Sequence, residues 1–534
     1  MKVIKDLVKP SLDAIDYKSK GKKKFFTDAY VATSFLEDAC DSNCYYFVGE
    51  KGAGKTALAF HMQNSSPRNI DCKLLPISET QYVRFITLKK SGGLAHTDYS
   101  VIWRTTLLYL VAKLAVERKK KWVHKLNGKF KAVEEAINHY DSGAHIPELE
   151  YVVEFVSNLT QDFRAKAEIP SLVKFDVGEK DSQTEKLTRT KVKEVLLECE
   201  RLLKDALEGV HFKEDLALFL DGLDAKPNSI DFDEYRNCLI GLSEAAWHLN
   251  SEYFSNIRGS EGRMRCVLLL RPDVFDSLNM HNSNCKLSDN AVVFNWNTTN
   301  KQHKTSALYK VSDRFFTAQS GSGNGWDKYF PDVKGRGSRS FLSILRKSFH
   351  RPRDVFSAIK ILIEISIHQG KGDATKFDYN MVDSSRFYDI YSDYLLGEVK
   401  NYANYYVTNS EFEGLVSFYQ YLNGATEFKY SEFCDAYSIF INLPKNSSLK
   451  KIPIVSSAGD FLQFWYDVNV IGYMEPIEGG EGDSHYHWSH RERSPAKVMP
   501  KIREHCNYMV HPGVAKSLDL GRRFHIVSTS KSEL

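Results

Sequence analysis

The chain has 534 residues, 42% hydrophobic and 26% charged, with a formal net charge of +4. That length supplies a large core and about two to four domains, and the balance excludes a disordered or fibrous protein. A charge this small excludes bulk attraction to nucleic acid, so any such binding needs a local basic patch.

Residues 1–25 are basic and polar, ending in Lys20-Gly21-Lys22-Lys23-Lys24. They read as a solvated arm, with phosphate contact as the alternative. From Phe25 onward, short apolar strands alternate with longer helical stretches, which predicts an α/β fold. Tyr45-Tyr46-Phe47-Val48 reads as a buried strand, Ala57 to Met62 as the start of a helix, and Tyr82 to Leu88 as a second strand. Ile102 to Glu117 carries Trp103, Leu107, Leu110 and Leu114 at helical spacing and runs into Arg118-Lys119-Lys120-Lys121, which suits a helix C-terminus. A charge-rich helical insertion is expected over about 122–210, with a loop or edge segment near 169–178. Its stripe of Val192, Val195, Leu196, Leu202 and Leu203 reads as core. Strands are expected at Ala217–Leu220, Cys266–Leu270 and Val292–Phe294, and a loop at Ser320–Gly325. Beyond about residue 376 aromatic density rises. The nine scattered cysteines lack zinc-site spacing, Cys40 and Cys44 being the closest pair, and read as buried thiols of a reducing cytoplasm. Met1 to Asp6 lacks a signal peptide's apolar core. No apolar run is expected to reach membrane-span length, Ile361 to Ile367 coming nearest.

The most informative stretch is Gly49-Glu50-Lys51-Gly52-Ala53-Gly54-Lys55-Thr56, which matches GxxxxGK[ST] at every required position. Glycines let successive backbone N–H groups face phosphate oxygens, and the helix beginning near Ala57 aims its positive end at the same anion. Lys55 is expected to reach the β- and γ-phosphates and the Thr56 hydroxyl to ligate Mg²⁺. An ordinary glycine-rich turn is the alternative, and the flanking strand and helix weigh against it. In Leu218-Phe219-Leu220-Asp221-Gly222-Leu223-Asp224, an apolar strand ends in a carboxylate. Asp221 is therefore the expected Mg²⁺-side acid, acting through water, and Asp224 the group that polarises an attacking water. An acidic loop after a buried strand is the plainer account.

Together with Val267-Leu268-Leu269-Leu270-Arg271-Pro272, these motifs resemble the additional-strand P-loop ATPases. Within that class the chain is similar to the STAND, NACHT and KAP branches and to origin-recognition-type AAA+ proteins. It also looks like bacterial single-chain P-loop ATPases that begin Phe-x-Gly-x-Lys-Gly-x-Gly-Lys-Thr-Ala, as Phe47 to Ala57 does here. The resemblance covers roughly residues 25 to 375. It implies a γ-phosphate sensor at Arg271, where a strand-end capping arginine is the alternative. It also implies an arginine finger among Arg258, Arg263 and Arg265, where solvated loop arginines are the alternative. Phe349-His350-Arg351-Pro352-Arg353-Asp354 looks like the start of an AAA-type lid helix, with Arg353, then Arg351, as nucleotide sensor. A Pro-initiated helix with an exposed basic first turn is the plainer reading. The NACHT pattern has a third acidic residue where this chain has Ala225, which bears on hydrolysis more than on binding.

Near the C-terminus, a helix at Ala458–Val468, a strand at Val470–Met474, a turn at Glu478–Asp483 and a strand at His485–Trp488 are similar to a winged helix. His485, His487 and His490 have no carboxylate or cysteine to complete a metal set and read as an exposed wing. Arg491-Glu492-Arg493 and Arg522-Arg523 are too few to define a nucleic-acid patch.

The expectation is an α/β P-loop NTPase: a parallel sheet flanked by helices over 26–300, a helical lid over 301–375, and a mainly helical, winged-helix-containing region over 376–534. Gly49 to Ala57 and Arg353 would bind ATP, Thr56 and Asp221 would hold Mg²⁺, and Lys55, Asp224 and Arg271 would act in hydrolysis. The absence of a guanine-reading Asn-Lys-x-Asp pattern favours ATP over GTP. A cytoplasmic switch follows, working as a homo-oligomer or with a partner protein of an effector complex, without a membrane. The bacterial proteins it resembles often act in stress or antiphage defence. A DNA-associated loader gripping nucleic acid through 376–534, or a non-hydrolysing nucleotide-binding scaffold, is the alternative.

Overall fold

The computed structural model describes residues 1–91, 99–119, 129–138, 194, 196–299, 301–321, 323–330, 339–477 and 484–521. The chain divides into two units, one of Ser34–Val48 and Lys55–Val293, the other of Met1–Thr33, Gly49–Gly54 and Phe294–Leu534.

The first unit is built on five strands: Tyr46–Val48 (β1), Asp71–Pro76 (β2), Leu216–Asp221 (β3), Met264–Leu270 (β4) and Ala291–Val293 (β5). Every pairing is parallel, and the order is β2-β3-β4-β1-β5. Leu216–Leu220 of β3 and all of β4 are buried, as expected of a parallel sheet covered by helices on its faces. The helices Lys55–Ser65, Tyr99–Lys119 and Phe232–His248 pack against β2, β3 and β4 respectively. The Trp103 indole N–H also donates to the Cys238 carbonyl at 3.1 Å, tying the last two helices together.

Two expectations for this unit are corrected. Tyr82 to Leu88 is not a strand but part of the helix Glu79–Ser91, and β2 supplies the second strand. Tyr82, Phe85 and Ile86 are buried at helical spacing. Ser78 and Gln81 cap the helix reciprocally, the Gln81 N–H donating to the Ser78 hydroxyl and the Ser78 N–H to Gln81 Oε1. The Tyr99–Glu117 stretch does have the length and composition of a membrane span, at a mean hydropathy of 1.2, but 78% of it is buried in this core. Most of the insertion expected over 122–210, including Val192, Val195 and the segment near 169–178, lies outside the described residues. The helix Lys129–Asn138 and helical residues 196–208 represent it.

The second unit has one continuous apolar core, shared by the segments expected as lid and C-terminal region. Phe316, Trp326, Ile344, Ile359 and Leu362 belong to it together with Tyr391, Leu395, Phe418, Phe461 and Trp465. The first residues are not a free arm. Ile4 and Leu7 are buried in that core, and the Ile4 and Lys5 N–H groups donate to the Ala374 and Gly372 carbonyls at 2.9 Å. Lys20 to Lys24 lie exposed on the helix Lys20–Ala29. An antiparallel sheet, Glu427–Lys429 (β6), Ile471–Pro476 (β7), Ser484–His487 (β8) and Asn507–Val510 (β9), runs in the order β6-β9-β7-β8. The helix Ala458–Asp467 leads into β7, and β7 pairs with β8, as expected. The Glu478–Asp483 turn and Arg522-Arg523 lie outside the described residues.

Candidate phosphate-binding site

The first unit brings together the residues on either side of β4. β1 ends at Val48, and after the loop the chain resumes at Lys55, the buried first residue of the helix Lys55–Ser65. β3 ends at Asp221, one strand removed from β1. The Thr56 hydroxyl donates to Asp221 Oδ2 at 2.6 Å, and the Gly222 N–H donates to Asp221 Oδ1 at 2.8 Å. Burial pushes the Asp221 carboxyl above the ordinary aspartate range. The Thr56 hydrogen bond, the Lys55 ammonium and the Gly222 N–H pull it back, and the Asp224 charge pushes it up again. Gly222, at φ +83°, makes this turn: a Cβ there would lie 2.3 Å from the Ile77 carbonyl oxygen. Asp224, half-buried, follows two residues later, and Ala57 sits half-buried in the first turn of the helix.

Thr56 and Asp221 thus place two hard oxygen donors side by side, and Lys55 lies close enough to act on the same carboxylate. That donor set suits Mg²⁺, and a desolvated carboxylate stands to gain most from a divalent neighbour.

Arg271 is placed differently from the expectation. It is 1% exposed and held by Asp273, with Arg271 Nε donating to Asp273 Oδ1 at 3.0 Å and a second bond completing the fork. Its charge is already matched within its own turn. The arginine-finger expectation also changes. Arg265 lies near the amino end of β4, about 16 Å along the strand from the edge where Leu270 pairs with Val48, and Arg263 just precedes the strand, farther still. Arg265 is buried against Asp215 and the Ala39 carbonyl, and Arg263 donates to Asn43, Tyr45 and the Asn250 carbonyl. Arg258 is exposed.

The loop residues Gly49–Gly54 belong to the second unit. Gly52 (φ +86°) and Gly54 (φ +97°) flank Ala53, and left-handed glycines in this pattern turn amides to one side as an anion nest. A Cβ on Gly52 would lie 2.9 Å from the Arg353 Cβ. Arg353 opens the helix Pro352–His368, and its N–H donates to the Gly52 carbonyl at 3.3 Å. Its guanidinium points elsewhere, Nε donating to the Leu12 carbonyl at 3.0 Å and Nη1 to Glu398 at 3.4 Å. Arg351 forks onto Asp354 and donates to the Lys51 carbonyl at 2.9 Å. The exposed basic turn of the plainer reading is therefore paired instead, with Arg351 buried and Arg353 half-buried.

Sequence reasoning missed three loop partners: Trp296, whose indole N–H donates to the Ala53 carbonyl at 2.8 Å, and Asn469 and Arg493, which bind the Glu50 carboxylate. No local pattern marks them, because they lie hundreds of residues from the loop. The three histidines do not converge on one site: the His485 ring meets that of His487 edge-on at 4.6 Å, away from the buried His490. His487 pairs with Glu475 and Glu492, and His490 is buried against Asn469. No group of three metal-ligating side chains occurs among the described residues. Compared with known proteins, the chain matches no family model, no curated protein and no solved structure at a significant level.

Proposed function

We propose that the protein is an ATP-binding and ATP-hydrolysing switch of the additional-strand P-loop class, acting in the cytoplasm. The observation that carries this reading is the 2.6 Å hydrogen bond from Thr56 to Asp221. It joins the first turn after a GxxxxGKT loop to the acid ending a buried strand, with one further strand, β4, between them.

In the proposed reaction the loop amides and the Lys55 ammonium bind the phosphates and stabilise the charge that develops on the γ-phosphoryl group. Thr56 and Asp221 would hold Mg²⁺, which when bound supplies further neutralisation of phosphate charge. Asp224 orients the water that attacks phosphorus in line with the departing ADP oxygen and accepts its proton. Arg351 and Arg353 act on the loop backbone rather than as free guanidinium sensors, and Arg271 supports the turn after β4 through Asp273.

Phosphate release by the purified chain tests this. Wild type is expected to turn over ATP, and Lys55→Ala and Asp224→Asn each to lose about a hundredfold or more. Equal, background-level release by all three overturns the hydrolytic assignment. Nucleotide binding without release would move the protein to the scaffold reading, which Ala225 favours. The DNA-loader reading gains little support here. The helices Tyr430–Ile441 and Ala458–Asp467 carry no lysine or arginine and contribute Glu432, Asp435, Asp460 and Asp467 instead, the wrong sign for phosphate contact.

A further inference from the structure

Each of the four residues from Glu50 to Ala53 is held by a group from outside the loop. The Glu50 carboxylate takes Asn469 Nδ2 at 3.1 Å and the Arg493 guanidinium. The Lys51 carbonyl takes Arg351 Nη1 at 2.9 Å, the Gly52 carbonyl the Arg353 N–H at 3.3 Å, and the Ala53 carbonyl Trp296 Nε1 at 2.8 Å. A loop that turns amides toward an anion turns carbonyls away from it, and buried carbonyls need donors. The carbonyl donors come from two separate stretches of the chain, Trp296 and residues 351–353.

The Glu50 contact is of a different kind, because there a side chain of the loop itself engages. Glu50 and Arg493 are both 7% exposed, and two charges so desolvated are tolerated as a pair but not singly. Their partners are fixed in turn. Arg493 also donates to the Asp467 carbonyl at 2.9 Å, at the end of the helix Ala458–Asp467. Asn469, at φ +63°, uses its Oδ1 to accept the His490 N–H at 2.8 Å. A displacement of the loop at Glu50 is therefore felt at Asp467, Asn469, His490 and Arg493.

We propose that the Glu50–Arg493 pair, with Asn469, is a positioning latch that sets the phosphate loop in its anion-accepting shape. Nucleotide occupancy is thereby coupled to Asp467, Asn469 and the stretch 484–493. Glu50 does this without touching phosphate. The proposal rests on reading the loop as a nucleotide site. Linkage makes the coupling reciprocal: what the latch does for nucleotide affinity, nucleotide does for the latch.

The test uses the full chain and a fluorescent ADP analogue, with thermal melting beside every affinity. Arg493→Met is expected to weaken binding about tenfold, and to lower the melting temperature because the buried Glu50 carboxylate loses its arginine. The double variant Glu50→Gln with Arg493→Met removes both charges at similar volume and so keeps the fold. It is expected to regain most of the melting temperature while binding stays about tenfold weak. In wild type, saturating nucleotide is expected to slow hydrogen exchange in peptides covering 484–493, and the double variant is expected to lose that response. A double variant that binds as wild type does and keeps the exchange response makes the pair merely structural and overturns the latch. If wild type itself binds no nucleotide, the functional reading falls first, a result distinct from failure of the latch alone.

Discussion

Replacing Gly222 by alanine tests the fold and the proposed chemistry at one atom. The residue sits at φ +83°, where a side chain costs about 1–2 kcal/mol. The new Cβ would lie 2.3 Å from the Ile77 oxygen and 3.3 Å from its carbonyl carbon. These are backbone atoms, so no side chain can swing away to relieve the contact. Ile77 is itself anchored to the same turn, its N–H donating to the Asp221 carbonyl at 2.9 Å. Forcing the two segments apart gives up that bond as well, worth about 1 kcal/mol. The expected loss is about 2–4 kcal/mol, a fall of roughly 5–10 °C in melting temperature for a unit of this size. The Asp221 carboxylate moves with the turn, because the Gly222 N–H holds its Oδ1. A misplacement near 1 Å is expected to lower ATP turnover about a hundredfold. Thermal melting and phosphate release on the same preparation check both effects. A Gly222→Ala protein that melts and turns over like wild type would refute the reasoning, since neither the steric contact nor the geometry of Asp221 would then matter.

Asp273→Ala leaves the Arg271 guanidinium buried without its carboxylate and is expected to cost about 3–5 kcal/mol in denaturation experiments. Arg271→Met combined with Asp273→Leu is expected to recover most of that, and a silent Asp273→Ala would show that the pair holds nothing. The buried imidazole of His511 is pushed down to about 3 by desolvation and by Arg491 and Arg351, and His350 and His490 are pushed the same way, by desolvation first. In the unfolded chain histidine titrates near 6.5. The unfolded state therefore binds more protons below that value, and stability falls as pH drops from about 6.5 toward 3. At pH 5 His511 alone accounts for about 2 kcal/mol. His511→Asn is expected to flatten the dependence of melting temperature on pH by about one proton, and an unchanged slope would remove His511 from the account.

The features legible in the sequence were those whose physics is local. The loop from Gly49 to Thr56 announces itself because left-handed glycines must alternate with small residues over a few positions, and Gly52 and Gly54 do adopt that conformation. Asp221 was legible because a run of apolar residues long enough for a buried strand ends there, and β3 is that strand. The Arg271–Asp273 pair is within reach of the same reading, being two residues apart, and it favours the strand-end role for Arg271 over the phosphate sensor that the resemblance implies. Residues 82–88 were misread because Tyr82, Val83, Phe85 and Ile86 are aromatic or β-branched, which suits a strand as well as a helix face. Packing decided it: Tyr82 meets Tyr235 edge-on at 5.0 Å, and Phe85 stacks on Trp103 at 4.6 Å. Strand order belonged wholly to the tertiary structure, since no local preference places β4 between β1 and β3. So did the partners of Glu50. Asn469 and Arg493 lie 419 and 443 residues away, and only a folded chain brings a charge so distant into a site dry enough to need it. The sequence by itself determined where the glycine loop lies and which buried strand ends in Asp221. The tertiary structure decided which residues hold that loop, because burial rather than sequence neighbourhood dictates which charges must pair.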